Sequence, residues 1–204
     1  KGGAGVPIGE AIDPTDSDND GMPDWWELIH KLNPFDAADA AWDNDPDGFD
    51  LNGDGMLESS ENFTNLMEFE MESLLGNSTD PNDPDSDRDG MPDGWEIRYG
   101  LDPLWEGDAW LDGDNDGYDA NLNLSLEQGE LFTNLEEYLN STDPTNGDSD
   151  FDGMADGWEV YWGFDPLNSS DAWDDPDNDG LVNLYEFNNS LVEDYDENVI
   201  AADA

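Results

Sequence analysis

Apolar residues in this chain come in short clusters, and each cluster follows a run of alternating acidic residues. One kind of cluster carries Trp-Glu and an aliphatic residue and stops before Asn-Pro or Gly-x-Asp-Pro, which is typical of a helix end. The other kind carries Asn-Leu with further apolar residues at helical spacing. We therefore predict two helices in each of three similar stretches. They begin near Asp24, Asp93 and Asp156 and occupy segments 64–75, 133–139 and 182–187.

Helices this short are marginal in water, so tertiary contacts or bound ions must hold them. Thr64 and Thr133 are good N-cap residues for the second kind of helix. Trp26, Trp95 and Trp158 recur at one position of the pattern, which favours a packing role over the alternative of a sugar-binding tryptophan.

The acidic runs have the spacing of a calcium loop. Three copies, DSDNDGMPDWWE, DSDRDGMPDGWE and DSDFDGMADGWE, place carboxylates at positions 1, 3, 5, 9 and 12 and Gly at position 6. Ca²⁺ takes six to eight oxygen ligands, including a backbone carbonyl at position 7 and a bidentate Glu at position 12. The predicted ligands are Asp16, Asp18, Asp20, Met22, Asp24 and Glu27; Asp85, Asp87, Asp89, Met91, Asp93 and Glu96; and Asp148, Asp150, Asp152, Met154, Asp156 and Glu159.

A second set of sites follows the first. One loop is continuous, and in the other two the Asn-x-x-Glu ending appears after an insertion of 14 residues (65 − 47 = 18 against 183 − 179 = 4). We expect these loops to be split, with a returning helix delivering the last ligands. The ligands are Asp175, Asp177, Asp179, Leu181, Asn183 and Glu186; Asp43, Asp45, Asp47, Asn65 and Glu68; and Asp112, Asp114, Asp116, Asn134 and Glu137.

The insertions carry a similar pattern of their own. The first is a full match, whereas the second lacks Gly at position 6 and two charges, so that site should be weak or empty. The residues are Asp50, Asn52, Asp54, Glu58 and Glu61 in the first, and Asp119, Asn121, Asn123, Glu127 and Glu130 in the second. Together the patterns predict about six to eight calcium ions.

Composition limits the function classes. The net charge is −51, which is typical of disordered chains, but nine Trp, six Tyr and eight Phe argue for packed structure. The two facts are reconciled if cations neutralise the carboxylates, so metal binding would supply folding energy. Acidity beyond the sites fits a solvated surface. The chain lacks the basic face that nucleic acid requires, and no Cys is present to form a disulfide.

The sequence repeats itself. A shift of 69 residues takes Asp16 to Asp85, and a shift of 63 takes Asp85 to Asp148. Tandem units of this kind predict an array in which each repeat contacts its neighbours. We divide the chain into an apolar arm at 1–12, calcium repeats at 13–80, 81–143 and 144–190, and an acidic tail at 191–204.

Several features predict a location outside the cell. Six N-x-Ser/Thr sequons exceed what we expect by chance, although an Asn-rich chain makes some without glycosylation. No apolar run has the length of a transmembrane helix, so we expect a soluble chain without a membrane span. The sequons begin at Asn62, Asn77, Asn123, Asn140, Asn168 and Asn188.

The motifs DSDxDGMPDGWE, GLDP (Gly100–Pro103) and TNLEEY (Thr133–Tyr138) resemble the thrombospondin type 3 repeats of bacterial and archaeal surface proteins. The resemblance covers about residues 13–190. It implies short helices and EF-hand-like calcium loops in a tandem array with little or no sheet, extracellular and mostly structural. Pro23 and Pro92 depart from a paired EF-hand because they lack the N–H that would bridge two loops, which argues against a calmodulin-like switch.

Three functions remain to be weighed. The first is a structural protein that calcium makes rigid and that assembles into a fibre or layer through the Gly-rich segment 1–12. The second is an adhesin-stalk or dockerin-like module that binds a protein or glycan through tryptophans. The third, an enzyme, is disfavoured because His30 is the only His and no nucleophile motif occurs. The tryptophans concerned are Trp25, Trp42, Trp105, Trp110 and Trp173, of which the aligned Trp110 and Trp173 are expected in the core.

Overall fold

A computed structural model describes residues 15–49, 57, 60–120 and 125–190. In these ranges the chain folds into short helices joined by loops, with no strand. The predicted arm and acidic tail lie outside the described residues. So do the candidate ligands Asp50, Asn52, Asp54, Glu58 and Asn121 and the sequon asparagine Asn123.

Six α-helices occupy the predicted positions. Three short 3₁₀ helices, which the sequence did not predict, follow the first α-helix of each stretch. The α-helices are α1 (Asp24–His30), α2 (Asn65–Leu75), α3 (Asp93–Tyr99), α4 (Asn134–Asn140), α5 (Asp156–Trp162) and α6 (Asn183–Ser190). The 3₁₀ helices are Asp39–Ala41, Asp108–Trp110 and Asp171–Trp173.

Local signals fix the helix ends. Helix α4 begins with a capping box, in which Thr133 and Glu136 each accept a hydrogen bond from the other's backbone N–H, as the N-cap prediction requires. At the start of α2, the N–H of Met67 lies 3.4 Å from Thr64 Oγ1. Helices α3 and α5 end at Gly100 and Gly163, both in the left-handed conformation that glycine adopts without strain.

The chain divides into two compact units, Lys1–Glu106 and Gly107–Ala204. A core cluster of Met22, Trp26 and Ala40 lies in the first unit, and one of Met154, Trp158 and Ala172 in the second. Trp95 is also buried, with 1% of its surface exposed, so the core role predicted for Trp26, Trp95 and Trp158 is confirmed. The division of the chain into three calcium repeats stays a prediction.

The other tryptophans behave differently from the expectation. Trp110 and Trp173 are 55% and 64% exposed, so the core position predicted from their alignment is wrong. Each ends a three-residue 3₁₀ helix that leaves the tryptophan exposed and buries its first two residues, Asp108 and Ala109 or Asp171 and Ala172. Trp25, a candidate for the binding surface, packs instead against the core cluster of the first unit.

Two glycines mark close backbone contacts within the units. A Cβ added to Gly94 would lie 2.5 Å from the carbonyl oxygen of Asp47, and one added to Gly157 would lie 2.7 Å from that of Asp116. Both distances are shorter than real Cβ contacts, so only glycine fits. Trp25 occupies the matching position of the first loop (25 + 69 = 94).

We predict that Gly94→Ala destabilises the protein by about 1–3 kcal/mol, because the new methyl group overlaps a backbone oxygen that has little room to move. Gly129→Ala is the control, since a Cβ there has no heavy atom within 4 Å and should change stability by less than about 0.5 kcal/mol. Urea unfolding followed by Trp fluorescence at one fixed calcium concentration compares them. Equal effects of the two substitutions would contradict the packing argument.

Candidate metal centres

The continuous acidic loops share one backbone conformation. The glycine at position 6 has a positive φ of +100° to +106° in all four, and its N–H donates to the carboxylate at position 1 over 3.0–3.2 Å. The carboxylate at position 5 accepts the N–H of position 7. These bonds turn the carboxylates toward the loop centre. The glycines are Gly21, Gly90, Gly153 and Gly180.

In the first loop the carboxylates converge on a buried point. Asp20, Glu27 and Asp39 place oxygens within 4.8 Å of one another. Glu27 is fully buried, and neither of its carboxylate oxygens accepts a hydrogen bond. Asp39 accepts the N–H of Asn33 through Oδ2 at 2.9 Å, which leaves Oδ1 without a partner. The structure thus brings Asp20 and Glu27 of the predicted ligands together with one aspartate from the 3₁₀ helix, whereas the carboxylate of the predicted ligand Asp24 accepts two hydrogen bonds from Ser17.

The sequence reasoning missed that aspartate. Asp171 repeats the arrangement in the second unit: it accepts the N–H of Asp165 at 3.1 Å and acts electrostatically on Glu159. Asp39, Asp108 and Asp171 are related by the same shifts as the loops (39 + 69 = 108; 108 + 63 = 171). Each of these aspartates lies four residues before the first ligand of a second-set site, so aligning the segments that precede those sites would have identified it.

The structure assembles the split loop of the first unit as predicted. Asp43, Asp45 and Asp47 form one cluster, and Glu68 from α2 brings an oxygen within 4.8 Å of Asp47. Asn65 donates through Nδ2 to the carbonyl of Asp39 at 2.8 Å, and its buried Oδ1 has no partner. The insertion is bridged where the N–H of Phe49 donates to the carbonyl of Glu61 at 2.9 Å. The chain thus returns to its starting point before α2 begins.

Asp93, at position 9 of the second loop, also belongs to this cluster. Its carboxylate lies within 4.8 Å of those of Asp47 and Glu68, and all three residues are buried. Its Oδ1 and Oδ2 accept the N–H and Oγ–H of Ser86 at 2.8 and 2.7 Å. The N–H of Gly94 donates to Asp47 Oδ2 at 3.2 Å.

The second unit repeats these contacts. Asp156 accepts two hydrogen bonds from Ser149, at 2.9 and 2.7 Å, and the N–H of Gly157 donates to Asp116 at 3.0 Å. Asp116 and Asp156 both act electrostatically on Glu137, which is 1% exposed and has no hydrogen-bond partner for either carboxylate oxygen. The split loop of this unit therefore closes in the same manner.

The remaining predicted sites are more open. Asp177 and Asp179 are exposed, although Asp179 accepts the N–H of Leu181 at 2.8 Å and so keeps the loop conformation. In the insertion of the second unit, Glu130 accepts the N–H of Glu127 at 3.1 Å. Of the five ligands predicted for the other insertion only Glu61 is described, so that site stays a prediction.

Burial strongly perturbs these carboxyl groups. Loss of hydration, followed by repulsion from neighbouring aspartates, raises the pKa of Glu27 to about 7, of Asp47 to about 8 and of Glu68 to about 10. For Glu137, loss of hydration and repulsion from Asp116 and Asp114 raise the pKa to about 9. Burying such groups ionised is costly unless a counter-charge is present.

The described basic side chains supply no such charge. Lys31 is exposed, Arg88 pairs with Asp83 at 3.1 Å, and Arg98 lies over the ring of Phe49. Clusters of three or more oxygen donors therefore stand ready for a cation. In the clusters described above the donors are carboxylates and amides, which is the set that hard divalent cations prefer.

Comparisons with known proteins give no identification: no family model, no curated protein and no solved structure matches the chain. Over the described residues, no helix has the length and apolar character needed to cross a membrane.

We predict that the metal-free protein becomes less compact as pH rises. The pKa values of Glu27, Asp47 and Glu68 in the folded chain exceed those of an unfolded chain, so the compact state binds protons more tightly. The stability that these protonated carboxyl groups contribute is fully present below about pH 4, and it is lost as the pH rises through about 7 to 10. Sedimentation velocity of metal-free protein at pH 5 and pH 8 should show expansion at pH 8.

Saturating divalent cation should reverse this dependence, because protons then compete with the ion for the same oxygens. Expansion of the metal-free protein on acidification would show that the buried carboxylates do not govern its stability.

Proposed function

We propose that this protein is an extracellular structural protein whose short helices are held together by calcium. The observation that carries the proposal is a set of fully buried, unpaired glutamates, each facing aspartates from one or two loops. Such groups destabilise a fold unless a cation lies between them. The glutamates are Glu27, Glu68, Glu137 and Glu159.

The donor chemistry favours calcium over other metals. The chain contains no Cys and one His, so the soft or nitrogen-rich ligand sets of zinc and copper are missing. Mg²⁺ retains several waters and rarely occupies a cage made only of protein oxygens, whereas Ca²⁺ accepts six to eight ligands in irregular geometry. We propose about six to eight ions, with the loops and split loops as the main sites.

The recurrence of contacts supports an array of EF-hand-like repeats similar to thrombospondin type 3 repeats. In three places a buried Asn at the start of the second helix donates at 2.8 Å to the carbonyl of a 3₁₀-helix Asp. The pairs are Asn65–Asp39, Asn134–Asp108 and Asn183–Asp171. Equivalent bonds at equivalent positions indicate one structural unit used repeatedly.

An extracellular location agrees with what calcium loops need, because free calcium is scarce in the cytosol and weak sites fill only outside the cell. The sequon asparagines Asn77, Asn168 and Asn188 are exposed, so a glycan there would meet solvent. We propose these three as the first positions to examine by mass spectrometry. Asn62 and Asn140 are half-buried.

We further propose that the protein assembles with copies of itself through residues 1–12. In millimolar calcium, sedimentation velocity of the full chain should show polymers, and the variant lacking residues 1–12 should remain monomeric. A compact monomer from the full chain would instead remove the fibre or layer from the proposal and leave calcium as a fold-holding ion only.

A second candidate function is supported by exposed aromatic surface. Trp42, Trp105, Trp110 and Trp173 are 52–64% exposed, and exposed tryptophans often anchor a protein or glycan partner. Quenching of Trp fluorescence by oligosaccharides, lost in Trp110→Ala, would favour this binding module. We propose no catalytic role: the ring centroid of His30 lies 4.4 Å from that of Trp26, and His30 Nδ1 contacts Asp80, which supports a packing function.

We predict that Glu68→Gln weakens calcium binding at its site by at least about tenfold, because a buried bidentate ligand loses its charge. Glu70→Gln is the matched control on the same helix, since Glu70 is exposed. Calorimetric titration of metal-free protein should give about one ion fewer for Glu68→Gln and the wild-type number for Glu70→Gln. Wild-type protein that takes up no calcium would overturn the proposed function.

A further inference from the structure

The position-9 aspartates occupy an unexpected place. Sequence spacing assigns Asp93 to its own loop, but its carboxylate lies among those of the split loop that precedes it, within 4.8 Å of Asp47 and Glu68. Asp45 also acts on it electrostatically. Its hydrogen-bond partner Ser86, in contrast, is position 2 of the following loop. One side chain thus touches two candidate sites.

We propose that Asp93 and Asp156 are ligands of the ion in the preceding split loop, and that they link that ion to the loop that follows. This inference rests on the proposed calcium binding. It adds that one aspartate binds the ion of the split loop and also contacts the loop that follows. Calcium at Asp43–Glu68 would fix Asp93, which holds Ser86 in place for the next loop. Binding at one site then favours binding at its neighbour.

Burial and hydrogen bonding independently support an ion between Asp47, Glu68 and Asp93. Glu68 is fully buried with both carboxylate oxygens unpaired, and Asp47 is 1% exposed with Oδ1 unpaired. Each Asp93 oxygen accepts one hydrogen bond from Ser86, which leaves a second lone pair for an ion. The N–H of Gly94 donates to Asp47 Oδ2, so Oδ1 is the Asp47 oxygen that stays available to an ion.

The chain provides a matched control. Asp24 occupies the same loop position and accepts the same pair of hydrogen bonds from Ser17, both at 2.8 Å. Asp24 is only partly buried, whereas Asp93 is fully buried, and it is followed by Trp25 where Asp93 is followed by Gly94, which lies close against the backbone of Asp47. Asp24→Asn therefore makes the same chemical change beside a serine at a position without that close contact.

The test compares Asp93→Asn with Asp24→Asn in the full chain, by flow dialysis with radioactive calcium. We expect Asp93→Asn to weaken one ion by at least about tenfold and to lower the Hill coefficient, and Asp24→Asn to change affinity by less than about threefold. Equal losses in the two variants overturn the inference.

Double substitutions identify the ion that Asp93 holds. If Asp93 shares an ion with Asp45, the effects of Asp93→Asn and Asp45→Asn are less than additive, whereas Asp93→Asn and Asp87→Asn are nearly additive. The reverse result places Asp93 in its own loop and overturns the inference while calcium binding itself stands. Absence of calcium uptake by the wild type overturns the proposed function instead, so the two failures are distinguishable.

Discussion

Repulsion between buried carboxylates is the constraint on which this structure depends. Glutamates with no exposed surface face aspartates across less than 5 Å, and the described basic side chains lie elsewhere. No arrangement of the small aromatic cores offsets several such groups in ionised form. The helices have seven to eleven residues, too few to persist alone. Cation binding and folding are therefore one equilibrium in our proposal, with the cores contributing only once the charges are neutralised.

Much of this arrangement could be predicted from sequence because the relevant signals are local. Helix starts at Asp24, Asp93 and Asp156, the capping residue Thr133 and the left-handed loop glycines all follow from short-range chemistry. The return of Glu68 to the Asp43–Asp47 segment was also predictable, since a repeated Asn-x-x-Glu motif can be followed across an insertion.

The parts that escaped prediction depend on contacts between distant segments. Asp39 completes a cluster through a 3₁₀ helix that carries no strong sequence signal, and Asp93 contacts a site 46 residues earlier (93 − 47). Trp110 was expected in the core because it aligns with Trp173, but it is 55% exposed, so an equivalent position in the sequence does not imply burial. Repetition therefore identifies equivalent positions, but the direction of each side chain is decided by the backbone that carries it.

The contrast between Trp25 and its counterparts Gly94 and Gly157 has a consequence for how such a chain can grow in evolution. A glycine at this position accepts the backbone of an acidic loop placed before it, whereas a residue with a Cβ, such as tryptophan, would overlap that backbone. Duplication of a glycine-bearing segment can extend the chain without further change. A copy of the tryptophan-bearing segment inserted after an acidic loop would overlap the backbone of that loop, so duplication of that segment would require a compensating change in the loop before it.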